Sequence, residues 1–373
     1  MKKVPNRRLF FKQSFVLTLG TLLSSRLGFA LTKKTAEPKL KNITALGFQW
    51  QTKDPFLFCV HHEDAYPKGN EDMSPKADLS GRELGQDFMI KDGFRMYHGT
   101  KVPGFPGHPH RGFETITIVR KGLVDHSDSL GAAGRYGNGD VQWMTAGGGV
   151  LHAEMFPLLN QDKDNPLELF QIWLNLPAKN KMVDPHFKMI WNEDLPKQTY
   201  TDRGGRKTLI EVVSGSYHDK QAPAAPPNSW AADAENDVAI YNIRMESNAK
   251  FTLPKAKAGL NRTLYFYEGN ELTVEGQKLP HYHSAEVKSD EDIELESGKD
   301  ISHILVLQGK PINEPVVQHG PFVMNNRQQI QQAFADYQRT KFGGWPWKKL
   351  DNVHPRNKGR FAKHADGRIE VKG

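Results

Sequence analysis

The chain has 373 residues, 38% of them hydrophobic and 25% charged, which suits a globular protein of two domains or one large duplicated unit. The formal charge of +7 sits at the ends: residues 1–30 carry six Lys/Arg and no acid, and Arg339 to Gly373 carry ten against three acids, so the body is near −6. That distribution excludes a groove-wide basic field, and nucleic acid is not an expected partner.

The N-terminus has the form of a secretory signal: a basic start, an apolar run from Gln13 to Ser25 and a small-residue site ending at Ala30. The run is too short to cross a bilayer. Within it, "NRRLFFK" (Asn6 to Lys12) resembles a twin-arginine export signal, with Arg7 and Arg8 followed by Phe10 and Lys12. The expectation is cleavage near Ala30, export by the twin-arginine translocase and a periplasmic protein. A general secretory signal or an uncleaved anchor is the alternative.

Residues 31–47 read as a polar linker. From Phe48, short β-rich runs alternate with Gly, Pro, Asp and Asn clusters, among them "FLFCV", "TITIV", "DVQWMTAG", "LFQIWLNL", "VAIYNI", "LYFYEG" and "HILVLQG". Runs of that length at that spacing predict an all-β sandwich or barrel. "TITIVRKG…GDVQWMTAGG" is echoed by "TLYFYEG…DIELESGKD", which predicts two similar β-barrels: residues 48–219 and 237–340, joined by a Pro/Ala-rich loop at 220–236. One helix is predicted, Asn325 to Thr340, with Ile330, Phe334 and Tyr337 on one face. Residues 341–373 read as an irregular basic tail laid on the surface.

Cys59, the single cysteine, lies in an apolar run and reads as a buried inert thiol. The chemistry is carried elsewhere. "GHPHRGFETITIV" holds His108 and His110, and "GGGVLHAEM" holds His152 and Glu154. Side chains two residues apart on a strand share a face, so two neighbouring strands would converge three imidazoles and a carboxylate. Pro109 removes a ladder donor and places its stretch at a strand start or barrel mouth. Imidazole with carboxylate suits iron, manganese, nickel or zinc, and the lack of thiolate argues against a closed structural zinc site. Glu154 is also the candidate proton acceptor.

"HPHRGFETIT", "GDVQWMTAGGGVLHAEM", "FQIWLNLPAKNKMVDP" and "PINEPVVQHGPFVMN" together strongly resemble the pirin family of the cupin superfamily, from about Asp54 to "FGGWPW". The resemblance implies a bicupin, two face-to-face β-barrels with the metal in the first. It implies Fe(2+), or another divalent transition metal, on His108, His110, His152 and Glu154. It further implies either a quercetin 2,3-dioxygenase type of activity on an aromatic substrate with O2, or a non-catalytic, redox-responsive protein that binds a protein partner.

Alignment of the two halves puts "KAGLNRT" (Lys257 to Thr263) opposite "HPHRGFE", so no second metal site is expected. His281 and His283, an H-x-H pair, fall in a stretch read as a solvated loop. His61 and His62 are adjacent and face opposite ways on a strand. The glycines of "TAGGG" (Thr145 to Gly149) read as a tight turn rather than a phosphate loop. Gln142, Trp143 and Met144 read as pocket lining or core.

Overall fold

The computed structural model describes residues 37–373; the expected export signal and its expected cleavage site near Ala30 lie outside them. Almost every regular element is a β-strand, and the strands form two barrels. The first barrel pairs a six-stranded sheet, ordered His186–Ile190, Val141–Thr145, Phe113–Lys121, Asn165–Asn175, Phe56–Tyr66 and Gln49–Trp50, with a second sheet that carries the ligand motifs. The order in that second sheet is Ile369–Lys372, Arg360–Lys363, Ala133–Gly137, Leu123–Asp128, Val150–Met155 and Gly104–His110.

The other barrel repeats this plan. Its large sheet runs Leu40–Ala45, His283–Val287, Asn261–Glu268, Ser302–Gly309, Ala239–Met245, Lys207–Ser214 and Lys197–Thr201. Its small sheet runs Lys250–Leu253, Ile293–Ser297, Glu271–Val274 and Gln277–Pro280. The large sheets face each other: Ile116, Ile118, Phe170 and Ile172 of one share an apolar cluster with Ile240, Tyr265 and Leu305 of the other. Strand alternation divides the labour, since Thr115, Thr117 and Gln171 on the same strands take the opposite face, into the first barrel. Cys59 is buried in the layer between barrels, and burial holds its thiol well above the ordinary range.

Sheet membership departs from the expected boundaries in three places. Leu40–Ala45, read as linker, pairs with His283–Val287 of the second barrel. Lys197–Thr201 and Lys207–Ser214, read as part of the first domain, belong to the second barrel's sheet. The tail is not irregular throughout: Arg360–Lys363 pairs with Ala133–Gly137 and with Ile369–Lys372, extending the ligand-bearing sheet. Strand pairing is non-local, and a polar edge strand gives little sign in its own sequence of which sheet it joins. The helix is Arg327–Thr340, capped by the Asn326 side chain on Gln329 N–H. His283 opens a strand rather than lying in a loop, while His281 is exposed in the turn before it.

The segment between the helix and those last strands straps the outside of the first barrel. Arg135 is buried against Asp125, donating from Nε and Nη2 to the two carboxylate oxygens at 2.7 Å each. Its remaining donors hold the strap carbonyls of Pro355 (2.9 Å), Lys358 (2.7 Å) and His354 (2.9 Å). His354 in turn donates its backbone N–H to Asp125 at 2.8 Å. A buried ion pair with every donor used is costly to break from one side. Arg135→Met is expected to destabilise the protein by about 3–5 kcal/mol in urea unfolding, because Asp125 is left buried and unpaired.

A second buried acid sits between the barrels. Glu114 accepts hydrogen bonds from Thr145 Oγ1 (2.6 Å) and from Ser229 Oγ (2.5 Å) of the long loop. Burial pushes its carboxyl up to about 7. Because the folded chain then binds this proton more tightly than the unfolded chain, stability falls as pH rises from about 4 to about 7 and is level above that. Glu114→Gln is expected to remove this component, roughly 3 kcal/mol, from stability measured across pH 4–8.

Candidate metal centre

His108 and His152 stand directly opposite each other where Gly104–His110 pairs with Val150–Met155. His110 lies two residues along the first strand and Glu154 two along the second, on the same inward face. Pro109 occupies an edge strand, where the missing N–H costs no ladder bond on the outer side. The pairing shifts register between Phe105 and His108, a local irregularity that re-aims the chain just before the first ligand. Within it, Gly107 donates its N–H to the strap carbonyl of Leu350 at 2.9 Å. A Cβ on Gly107 would stand 2.7 Å from Cδ2 of Leu350, the end of an exposed side chain that can turn aside.

The structure brings His108, His110 and His152 together, with candidate ligand nitrogens within 4.8 Å of one another. Their rings lie 4.4–4.8 Å apart, centroid to centroid. Nδ1 of His108 faces the Pro106 carbonyl at 3.0 Å, which leaves Nε2 for a ligand. Both nitrogens of His110 and of His152 are buried without a hydrogen-bond partner among the described residues. The Pro321 carbonyl lies on the His110 side, outside hydrogen-bonding geometry. Burial, then the neighbouring rings, holds His110 and His152 well below the ordinary imidazole range. Burial likewise lowers His108 to about 4. All three are therefore neutral near pH 7, the form that binds metal. Buried orphaned nitrogens converging from two strands are what a divalent cation would satisfy, so the donor set fits one.

Glu154 stands beside this triad rather than within it. Its Oε2 is 3.8 Å from His152 Nε2 and accepts from Gln171 Nε2 at 2.7 Å, while Oε1 accepts from Thr117 Oγ1 at 3.0 Å. Burial raises its proton affinity, against the pull of those bonds.

Several polar side chains on the inner wall escape a reading based on motifs. Thr117 and Gln171 hold Glu154, and their alternation with Ile116, Ile118, Phe170 and Ile172 is the signal that placed them inward. His126 lies opposite Glu154 on the next strand, with Nε2 3.1 Å from Asp128 Oδ2 and its ring stacked on Phe187. Gln142, paired with Thr117 on the neighbouring strand, has both amide atoms buried and unpartnered among the described residues. Trp143 points the other way, into the layer between barrels. Neither adjacent histidine joins the triad: His61 meets the Tyr282 hydroxyl at 3.2 Å on the barrel interface, and His62 the Tyr97 hydroxyl at 2.8 Å. The glycines of Thr145–Gly149 form the expected turn; Gly149 has φ of 134°, and a Cβ there would meet the Phe342 ring at 2.6 Å.

Among the described residues, the second barrel carries no such set. Paired strands equate His108 and His110 with Phe251 and Leu253, and His152 and Glu154 with Leu295 and Ser297. This corrects the alignment on Lys257 to Thr263, because the loop after the ligand strand is longer in the second half. Phe251, Leu253 and Leu295 pack into that barrel's apolar core.

Comparison with known proteins bears on the fold and the family. Residues 40–174 match the family model Pirin, and residues 240–343 match Pirin C-terminal cupin domain. The chain is 37% identical over 245 residues to a Pseudomonas aeruginosa protein named "Putative quercetin 2,3-dioxygenase", covering 64% of this chain and 79% of the other. It is 34% identical over 262 residues to mouse (Mus musculus) Pirin, covering 69% and 82% respectively. The crystal structure of quercetin 2,3-dioxygenase from Acinetobacter baumannii superposes with a TM-score of 0.65 at 26% identity, over 82% of this chain and 98% of that one. A bicupin with these strands in this order, and with both halves matched, belongs to the pirin family.

Proposed function

We propose that the chain is a non-haem iron dioxygenase acting on quercetin-like flavonols or related enolic aromatics, with His108, His110, His152 and Glu154 as the ligands of Fe(2+). The observation that carries this reading is the buried set of neutral imidazoles with unsatisfied nitrogens, beside a carboxylate that two side chains hold in place. The names borne by the Pseudomonas and Acinetobacter relatives support the substrate class. When bound, the ion would supply Lewis acidity and redox capacity.

The chain's own residues do the rest. His108 is the half-buried member of the triad, so substrate approaches from its side, past the ring of Phe105 at 6.1 Å. Glu154 takes the proton of the enolic hydroxyl on Oε2, the oxygen nearer His152. Its raised proton affinity suits it to accept that proton near neutral pH, and Gln171 and Thr117 keep the carboxylate from turning away. The Phe113–Trp173 stack, 3.9 Å between centroids and 5.3 Å from His110, closes the inner wall against water.

His152→Ala is expected to abolish stoichiometric iron binding, read by elemental analysis. Glu154→Gln is expected to lower quercetin-dependent O2 uptake by about 10²–10⁴-fold. Gln171→Ala should cost about 10–100-fold in metal affinity or activity, since it holds a ligand side chain in orientation. Iron-loaded protein that takes up no O2 with quercetin above free iron would instead favour the non-catalytic, redox-responsive reading.

Export before metal competition gives the twin-arginine signal a physical rationale. Site affinity rises from Mn through Fe to Cu, so folding around Fe(2+) in the cytoplasm avoids displacement outside it. Changing Arg7 and Arg8 together to Lys is expected to hold the protein in the cytoplasm on cell fractionation; unchanged periplasmic delivery would rule out this route.

A further inference from the structure

The second barrel has a feature that the first does not: a buried arginine without a carboxylate against it. Arg262 begins the Asn261–Glu268 strand and is only 4% exposed. Its Nε donates to Gln308 Oε1 at 2.6 Å and its Nη1 to the Pro254 carbonyl at 2.8 Å, both neutral acceptors. Nη2 makes no hydrogen bond among the described residues. Asp237 and Asp292 lie within electrostatic reach, yet neither forms an ion pair with it. Asp292 is already engaged by the Lys255 backbone N–H at 2.8 Å. Burying a guanidinium without a contacting anion is costly, and an external anion would relieve that cost.

Arg262 lines a cavity of about 380 Å³ at the barrel end where the first barrel keeps its histidines. Leu253, the counterpart of His110, is in its wall, and the loop inserted after that strand forms one side. Tyr217 and Tyr241 give it an aromatic surface, and Lys255 and Lys257 stand exposed at the rim. The Tyr241 hydroxyl is committed to the Ser216 carbonyl, at 2.5 Å. The Tyr217 hydroxyl is not bonded within the described residues and is free to donate. Lys257 pairs with Glu235 at 3.0 Å, whereas Lys255 has no carboxylate partner among the described residues. Three residues with a donor not engaged by a carboxylate or carbonyl, Arg262, Tyr217 and Lys255, therefore line a cavity whose one carboxylate residue is Asp237.

We propose that this cavity binds a small organic carboxylate, its charged group on Arg262 and Lys255 and its body against Tyr217 and Leu253. An aromatic wall beside a cationic end selects an organic acid over inorganic phosphate. The site is independent of the metal centre and of the activity proposed for it.

Titration of the full chain with benzoate, followed by calorimetry, tests this, with benzamide and inorganic phosphate as comparators. Benzoate is expected to bind one-to-one, equally in metal-loaded and metal-free protein, and benzamide at least tenfold more weakly. Lys255→Ala, at an exposed side chain, and Tyr217→Phe, which keeps the buried ring, should each weaken benzoate about tenfold, and Arg262→Met should abolish it. Absence of benzoate binding, binding untouched by these variants, or phosphate binding in preference to benzoate would each overturn the proposal.

Discussion

The register between Gly104–His110 and Val150–Met155 is the constraint on which the site depends. With His108 opposite His152, three imidazoles meet inside the barrel and Glu154 falls beside them. Side chains alternate with a period of two, so a slip of one residue would turn His152 and Glu154 outward together. Neighbouring structure fixes the register from outside. Gly107 is bonded to the strap at Leu350, Asp128 receives the Trp347 indole N–H at 2.8 Å, and His126 receives His354 Nε2 at 3.0 Å through its carbonyl. These contacts fall on the ligand strands' own sheet, so the C-terminal strap is part of the frame that aims the histidines.

The two barrels use one strand plan for different ends. The second is filled with apolar side chains such as Ile210, Leu264, Leu295 and Val306, and three of its ligand-equivalent positions, Phe251, Leu253 and Leu295, join that core. The first keeps Thr117, Gln142, Gln171, His126 and the triad in its interior, which forgoes apolar burial there. Its apolar packing lies in a separate cluster that includes Tyr66, Val119, Tyr136, Leu167 and Met189 and in the layer against its twin, beside buried pairs such as Asp125–Arg135. Exchange of edge strands ties the halves together, since residues 40–45 and 197–214 leave the first half to pair in the second barrel.

What was legible in the sequence follows the range of the interactions involved. Two H-x-H and H-x-E spacings are local, and period two alone puts each pair on one face. The family's strings carried the fold and the order of the barrels. Sheet membership was not legible, because Leu40–Ala45 and Arg360–Lys363 are short, largely polar strands whose partners lie hundreds of residues away. Thr117 and Gln171 were readable as inward positions from their alternation with isoleucine and phenylalanine, but that they meet at Glu154 is a fact of three strands at once. The equivalence of His108 and His110 with Phe251 and Leu253 was hidden by a loop-length difference, Arg111–Gly112 against Pro254–Leu260.

Two buried arginines show how charge satisfaction separates a structural group from one suited to a ligand. Arg135 and Arg262 are almost equally inaccessible. Arg135 meets a carboxylate through two donors and spends the others on strap carbonyls, so nothing further is needed for it to be stable where it is. Arg262 meets an amide and a carbonyl, with one nitrogen left over beside a cavity. Histidine shows the same contrast by degree: His126 has Asp128 on Nε2 and only Nδ1 without a partner, whereas both nitrogens of His110 and of His152 are buried without a hydrogen bond among the described residues. Residue type and burial do not distinguish the members of either pair; the count of donors and acceptors does.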